Sequence, residues 1–319
     1  MRFINNHFIL FLKHPSILWT YLKIKWFRNV LRVKQRFCWD RYFERIRDPK
    51  TKTMLIDSYE NSAVIIKQLE QHGFSIKNFE ISPDEYREYL KKARYQDYIL
   101  YLNGSRSAIF AEKSLEHFVA ARLLDLKPSD IYIDIANACS PTVEIYHRLF
   151  GCTTYRQDLT FPQGVRDNII GSDATCMPLA DGFCNKMAMH CSFEHFENDS
   201  DSRFIKEAAR VLAPGGKMCI LPLYLFTQYV IRSNPVIIPD RGVPFESDAL
   251  ISCNKGFLQR HSRFYDVAHL VTRIKAYLSG MSLTIYHITN PKDISTSCYL
   301  TFAAVFEKKA ADKPNGFSR

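Results

Sequence analysis

The chain lacks the glycine-rich motifs that mark two large groups of nucleotide-binding enzymes. Of its 319 residues, 12 are glycine, and neither Gly-x-Gly-x-x-Gly nor Gly-x-x-x-x-Gly-Lys-Ser/Thr occurs. The first absence argues against a nicotinamide-dependent dehydrogenase, because the backbone of that turn approaches the pyrophosphate. The second absence excludes a P-loop enzyme.

Paired cysteines and long apolar runs are also missing. The nine cysteines include no Cys-x-x-Cys pair and no zinc-ligand spacing, so no metal site is expected. Residues 8–12 form the longest early apolar run, far short of the roughly 20 residues of a membrane-spanning helix, and they lack the cleavage site of a signal peptide. We therefore expect a cytoplasmic protein with reduced, buried thiols. Four of these lie in or beside predicted core strands: Cys139, Cys176, Cys191 and Cys219.

Positive charge is concentrated in a basic N-terminal arm, residues 1–50. This arm has twelve Lys/Arg and three Asp/Glu of a chain whose net charge is +10, so the remainder is nearly neutral and nucleic acid is not an expected partner. Over residues 17–37 a helical stripe is predicted, formed by Trp19, Leu22, Trp26, Val30, Val33 and Phe37. Residues 1–37 either bind an anionic membrane surface, peripherally at the inner face, or pack on the rest of the protein.

Residues 131–141 predict a strand, a tight turn and a helix. Asp134 lies in an apolar run, Ala136 and Ala138 follow in the turn, and Ser140-Pro141 is suited to a helix start. Such a turn directs backbone N–H groups at a ligand above the carboxyl end of the strand. Strands alternating with helical segments predict a parallel, doubly wound α/β sheet. The predicted core strands are 131–135, 153–157, 168–172, 185–190 and 217–222.

The regions around this core are predicted from local patterns. Residues 51–128 are expected to form a helical extension, with a capping box at Ser82-Pro83-Asp84-Glu85 and a second helix over 111–124. Residues 224–260 contain prolines and no clear periodicity, which predicts a lid or binding loop. A helix to about residue 278 and a closing strand pair, 283–288 and 299–306, follow. Residues 308–319 are expected to be a polar tail.

The core resembles class I S-adenosylmethionine-dependent methyltransferases, in particular their small-molecule group. The resemblance lies in Gly171-Ser172-Asp173 and the ten residues after it, in Glu194-His195, and in the Arg-Val-Leu-x-Pro-Gly-Gly segment at 210–216. It implies a seven-stranded Rossmann-like sheet over residues 129–307 with one antiparallel strand near its end. The family usually has glycine where this chain has Ala136, Ala138 and Ser140, and these residues are small but less free in conformation.

The same resemblance implies S-adenosylmethionine as the cofactor. Its methionine part would lie beside residues 134–138 and 190–191, its ribose at Asp158 and its adenine edge at Asp173. A structural carboxylate that caps a turn is the alternative for Asp134 and Asp158. The complete implied binding set is Asp134, Ala136, Asn137, Ala138, Asp158, Leu159, Asp173, Ala174, His190 and Cys191.

Methyl transfer requires that donor and acceptor be held in line and, for a hydroxyl acceptor, that a proton be removed. Candidate catalytic residues are His195, His261 and Glu194. Tyr98, Tyr101, Glu116 and His117 are expected to face the substrate, although each could be ordinary packing. The expected function is O- or N-methylation of a small-molecule, glycan or lipid-linked acceptor. The alternative is a non-catalytic scaffold or cofactor sensor.

Overall fold

The computed structural model describes residues 58–98, 101, 107, 109–138, 140–233, 246–253 and 259–310, together with Trp19, Leu22, Trp26 and Val30. Its α-helices are α1 Ser62–Gln71, α2 Pro83–Ala93, α3 Phe110–Leu124, α4 Thr142–Phe150, α5 Ser200–Val211, α6 Val267–Arg273 and α7 Pro291–Ile294. Its strands are β1 Ser75–Phe79, β2 Ile131–Ile135, β3 Thr153–Asp158, β4 Gly164–Arg166, β5 Ile169–Gly171, β6 Cys184–His190, β7 Leu212–Leu221, β8 Val230–Ser233, β9 Leu250–Cys253, β10 Ser262–Phe264, β11 Met281–Ile288 and β12 Phe302–Lys308.

The main sheet has nine strands among the described residues, in the order β1-β11-β12-β7-β6-β2-β3-β5-β4. The strands from β5 to β7 run parallel, and β12 is antiparallel to both of its neighbours. The predicted seven strands are therefore present and contiguous, from β5 to β11. The prediction of seven was too low, because β1 extends one edge beside β11 and β4 folds back antiparallel on β5 at the other.

The five predicted core strands are present as β2, β3, β5, β6 and β7, and the closing pair as β11 and β12. The serine N-cap of the predicted capping box is confirmed, since the Ser82 hydroxyl accepts a hydrogen bond from the backbone N–H of Glu85. Helix α4 begins at Thr142, one residue later than predicted. The Pro-Gly-Gly turn lies within β7, where a side chain on Gly216 would approach the Ala213 carbonyl oxygen to 2.8 Å.

Hydrophobic residues cover both faces of the main sheet, as expected for buried parallel strands. Ile133, Met187 and Ile220 pack with α5 and α6 on one face. Tyr132 and Ala188 pack with α2, α3 and α4 on the other. The helices thus form two layers around the sheet, which is the arrangement of a doubly wound fold.

The structure corrects three expectations outside this core. Residues 51–128 contain the strand β1, and the segment predicted as an irregular lid contributes β8 and β9 to a small sheet with β10. Cys176 is exposed and Cys191 is partly buried, whereas Cys219 is buried as expected. Cys139 and most of the arm lie outside the described residues. Trp19 and Trp26 of the arm's stripe are helical and exposed, and the part of the chain that the structure describes contains no helix long and apolar enough to cross a bilayer.

Candidate active site

The carboxyl ends of β2, β3 and β6 meet at one edge of the sheet. Strand β2 pairs with β3 on one side and with β6 on the other. After β2 the chain adds β3 on one side of β2, and it later crosses over to add β6 on the other side. The direction in which strands are added therefore reverses between β2 and β6. Ligands of open α/β sheets bind at this type of topological switch point.

The turn after β2 has the backbone conformation that the missing glycines would supply. Ala136 and Ala138 have φ of 53° and 45°, in the left-handed region that is unfavourable for alanine. Strand β3 holds the turn: the N–H groups of Asn137 and Ala138 donate to the Gln157 carbonyl oxygen (2.9 Å) and to Asp158 Oδ2 (2.9 Å). The alanines therefore keep the shape of the turn at a cost in backbone strain.

Asp134 anchors this turn to the start of α4. Its buried carboxylate accepts hydrogen bonds from Asn137 Nδ2 (2.6 Å), Thr142 Oγ1 (2.7 Å) and the Tyr132 hydroxyl (3.0 Å). His190 Nε2 lies 3.5 Å from Asp134 Oδ1. These contacts give Asp134 the structural role that the sequence left open as an alternative, while Oδ1 retains capacity for one more donor.

Asp158 lies at the carboxyl end of β3, where a ribose-binding acid is expected. Asp158 Oδ2 accepts the hydrogen bond from Ala138 N–H, and Asp158 Oδ1 accepts two more, from Thr160 N–H (2.8 Å) and from Thr160 Oγ1 (2.6 Å). The residue is 7% exposed. A ribose diol would have to displace the Thr160 hydroxyl or share Oδ2 with the backbone N–H.

The residues implied for adenine lie at the rim of the same edge. Asp173 is exposed, and its Oδ1 accepts a hydrogen bond from Thr175 N–H at 2.8 Å. Ala174 is buried and Leu159 is 65% exposed. An exposed leucine next to β3 supplies an apolar surface on which a flat base can pack.

His190 and Cys191 end β6 directly above the sheet edge. Burial lowers the pKa of His190 to about 4, so the ring is neutral near pH 7. Within the described part of the chain, neither ring nitrogen of His190 has a hydrogen-bond partner. Cys191 has φ of 50°, and its Sγ lies 3.4 Å from the Tyr224 hydroxyl. Burial raises the pKa of this thiol, which disfavours the thiolate.

Three of the four predicted pocket residues lie at this edge, and two of them, Glu116 and His117, are on α3. The ring of His117 packs edge-on against His190 with centroids 4.8 Å apart, and the Tyr101 hydroxyl lies 3.4 Å from His117 Nε2. Glu116 is fully buried beside them. Tyr98 is not part of this group, because its hydroxyl receives a hydrogen bond from Arg148 on α4.

Two charged residues of α3, Glu112 and Lys113, belong to the site but were missed in the sequence. The Lys113 ammonium contacts both carboxylate oxygens of Glu116, at 2.9 and 3.1 Å, and Glu112 Oε2 accepts a hydrogen bond from Tyr299 N–H. Burial raises the pKa of Glu112 to about 7 and that of Glu116 to about 8. The sequence did contain a pattern that could have indicated these residues: Glu112 and Glu116 lie one turn apart on an otherwise largely apolar helix.

The three candidate catalytic residues differ in their surroundings. His195 Nδ1 lies 2.8 Å from both the His261 carbonyl oxygen and the Ser262 hydroxyl, while its Nε2 lies 3.7 Å from Glu194 Oε1. Glu194 is buried, and its Oε2 has no hydrogen-bond partner among the described residues. The ring of His261 is buried, and burial lowers its pKa to about 3. His195 and Glu194 thus form a pair, whereas His261 contributes its backbone.

The described residues include no group of three or more His, Cys, Asp or Glu side chains that could hold a metal ion. No curated protein matches the chain. Among solved structures it is similar to 1,6-didemethyltoxoflavin-N1-methyltransferase from Burkholderia thailandensis, with bound 1,6-didemethyltoxoflavin and S-adenosylhomocysteine, at 14% identity and a TM-score of 0.39, covering 74% of this chain and 94% of that chain. It is also similar to geranyl diphosphate C-methyltransferase from Streptomyces coelicolor A3(2), at 12% identity and a TM-score of 0.37. This similarity covers 63% of this chain and 84% of that chain.

A family model described as a methyltransferase domain matches residues 153–220. The match extends from the start of β3 into β7, and so includes Asp158, Asp173 and the Glu194-His195 pair. The match supports a methyltransferase domain over these residues, with S-adenosylmethionine as its cofactor.

Proposed function

We propose that this protein is an S-adenosylmethionine-dependent methyltransferase that acts on oxygen or nitrogen of a small-molecule acceptor. The observation that carries the proposal is the turn after β2, in which two alanines keep the left-handed backbone beside the carboxyl end of β6. A strained conformation held by hydrogen bonds that the turn donates to a neighbouring strand is typical of a ligand-binding turn. The methyltransferase-domain match over residues 153–220 supports the same conclusion.

The residues at the sheet edge fit the cofactor. Asp134 and His190 have unused hydrogen-bonding capacity next to the turn, which suits the polar methionine end. Asp158 is the proposed ribose acceptor, and Asp173, Ala174 and Leu159 form the proposed adenine site. When bound, S-adenosylmethionine supplies an electrophilic methyl group on a sulfonium.

The chain's own contribution to catalysis is to hold the acceptor beside Cys191 and to accept a proton. The Glu194–His195 pair, three to four residues beyond Cys191, is the proposed acceptor of that proton, because its free carboxylate oxygen and imidazole can both bind one. Burial of the surrounding polar groups excludes water, which strengthens their electrostatic effect on the reaction.

Calorimetric titration with S-adenosylmethionine tests the proposal. We expect saturable binding to the wild-type protein, and a Kd at least about tenfold higher for Asp158→Ala, which removes charge-assisted hydrogen bonds. Glu70→Ala, an exposed acid on α1, is the matched control and should bind as the wild type does. Absence of binding to a folded wild-type protein would contradict the proposal.

A scaffold or sensor remains the second candidate function, and the inward hydrogen bonds of Asp158 favour it. A scaffold would not bind the cofactor at all. A sensor would bind it without turnover, so release of S-adenosylhomocysteine in the presence of candidate acceptors separates a sensor from an enzyme.

The basic arm suggests that the protein binds an anionic membrane surface and methylates a glycan or lipid-linked acceptor there. Trp19, Leu22, Trp26 and Val30 are spaced as one helical stripe and all are exposed. Deleting residues 1–37 should abolish sedimentation with phosphatidylglycerol vesicles and leave cofactor binding intact. Unchanged sedimentation would contradict this role of the arm.

A further inference from the structure

Three buried carboxyl groups surround the end of β6. Glu112 and Glu116 lie one turn apart on α3, and Glu194 lies in the short turn that follows β6. Their relative exposures are 1%, 0% and 6%. Carboxyl groups are almost never buried this deeply unless they are paired, so the partners of each carboxyl group decide what the cluster can bind.

Internal pairing does not satisfy this cluster. Lys113 contacts both oxygens of Glu116, and Glu112 is held by a backbone N–H of Tyr299. Glu194 Oε1 lies 3.7 Å from His195 Nε2, whereas Glu194 Oε2 and Glu112 Oε1 have no hydrogen-bond partner in the described ranges. A buried carboxylate oxygen without a donor is strongly unfavourable. The arrangement therefore calls for a donor that enters from outside.

A second unpartnered group lies at the same place. The His190 side chain is 7% exposed, and both of its ring nitrogens lack hydrogen-bond partners among the described residues. Asp134, whose Oδ1 lies 3.5 Å from His190 Nε2, and Lys113 act electrostatically on His190, and Glu194 acts on both Cys191 and Tyr224. Glu194 Oε2 and the His190 ring thus flank the end of β6, where the proposed function requires the methyl group to be transferred.

We propose that the acceptor is an amine, which enters as an ammonium ion and is bound by Glu194. This inference rests on the proposed function and specifies its substrate class. An ammonium ion supplies both the charge and the N–H donors that Glu194 Oε2 lacks. A neutral hydroxyl would leave the charge of Glu194 uncompensated, and a carboxylate acceptor would be repelled.

The transfer then proceeds as N-methylation. One ammonium proton passes to Glu194 Oε2, which frees the nitrogen lone pair. That lone pair forms the bond to the methyl carbon as the carbon–sulfur bond breaks, and the electron pair of the broken bond stays on sulfur. The products are a methylated ammonium ion, the thioether form of the cofactor, and a proton that Glu194 returns to solvent.

Two cofactor analogues test this inference without knowledge of the acceptor. Sinefungin carries a carbon with a primary amine in place of the sulfonium and its methyl group, so its ammonium extends toward the position of the acceptor atom. S-adenosylhomocysteine has no group there. In calorimetric titrations at pH 7.5, we expect sinefungin to bind the wild-type protein about tenfold more tightly than S-adenosylhomocysteine.

Glu194→Gln should reduce this preference to less than about twofold, because it removes the charge while keeping the shape. The affinity for S-adenosylhomocysteine should stay within about twofold of the wild type, since that ligand does not contact Glu194. The matched control Glu70→Gln changes an exposed acid on α1 and should keep the full preference.

Each outcome distinguishes this inference from the proposed function. Equal affinity of the wild-type protein for the two analogues would overturn the amine inference and leave the methyltransferase proposal intact. A preference for sinefungin that Glu194→Gln does not reduce would also overturn it. If neither analogue binds, the proposed cofactor site itself fails. Should Glu194→Gln not fold, equal affinities of the wild-type protein for the two analogues would still overturn the inference, and Glu194→Asp, which keeps the charge and shortens the side chain, should lower the preference.

Discussion

Two alanines in the cofactor turn adopt φ angles that glycine adopts without strain. Because an L-residue in the left-handed region costs about 1–2 kcal/mol and glycine increases the entropy of the unfolded chain by about 0.4–1 kcal/mol, Ala136→Gly and Ala138→Gly should each raise the free energy of unfolding by up to about 1 kcal/mol. Urea denaturation measures this change. Ala120→Gly, in the interior of α3, is the control and should lower the free energy of unfolding by about 1 kcal/mol. Destabilisation by all three replacements would contradict the interpretation.

Burial of Glu112 makes the stability of the protein dependent on pH. Burial raises the pKa of this carboxyl group from an ordinary 4.5 to about 7, so the folded state binds the proton more tightly than the unfolded chain does. The contribution of Glu112 is therefore fully present at acid pH and is lost as pH rises from about 4.5 through about 7. The size of the loss is on the order of a few kcal/mol.

Glu112→Gln should flatten this dependence, because the amide cannot ionise but can still accept the hydrogen bond from Tyr299 N–H. Urea denaturation at pH 5, 6, 7 and 8 measures the slope. Glu70→Gln, which changes an exposed carboxyl group, should keep the slope of the wild-type protein. The same slope in all three proteins would show that Glu112 titrates normally.

The sequence located the residues of the strand ends but not their partners. Asp134 was found within an apolar strand and Asp158 just after one, whereas His190 and Cys191 were implied by the family resemblance. The structure brings all four to one edge. Several of their hydrogen bonds run between elements, such as Ala138 N–H to Asp158 Oδ2, and could not be read from a local pattern. The Glu112–Lys113 contribution was missed because helix packing, not periodicity, decides which polar face is buried.

At the scale of elements, one buried arginine joins the small sheet to the main domain. Arg263 of β10 is fully buried and donates hydrogen bonds to Asp201 of α5 (2.9 Å), to Glu246 (2.7 Å) and to the Tyr229 hydroxyl (2.9 Å). Five donors in a fixed planar geometry allow one side chain to connect several elements. This network fixes β10 of the small sheet against α5 of the main domain.

Arg263→Met should lower the free energy of unfolding by about 3–5 kcal/mol, because it leaves the buried Asp201 carboxylate without one of its partners. Limited trypsin digestion should also cleave the 224–260 segment faster. Arg203→Met removes an exposed ion pair with Asp199 and should cost less than about 1 kcal/mol. Equal losses in the two variants would contradict the anchoring role of Arg263.

The sequence did not predict the short strands whose partners lie far away in the chain. Strand β1 has five residues and pairs with β11, about 200 positions later, and β8 and β9 have four residues each. Segments of this length have too few alternations to separate a strand from a loop. The capping box of α2 was predicted because its signal is local and complete within four residues.

At the scale of the whole molecule, ligand binding at the edge of β2, β3 and β6 should stabilise the fold, because the site is built from the central strands. Saturating S-adenosylhomocysteine at about 100 times its Kd adds about 2.7 kcal/mol to the free energy of unfolding. For a domain of this size, that corresponds to a rise in Tm of several degrees. Differential scanning calorimetry measures the shift.

A mixture of adenosine and methionine at the same concentrations is the control for that measurement. It presents the same chemical groups without the covalent link, so each part pays its own cost of immobilisation and binds far more weakly. The Tm should therefore stay within about 1 °C of the ligand-free value. An equal rise with the mixture and with S-adenosylhomocysteine would mean that the strands hold separate sites for the two parts, and that no continuous site crosses from β3 over the turn after β2 to β6.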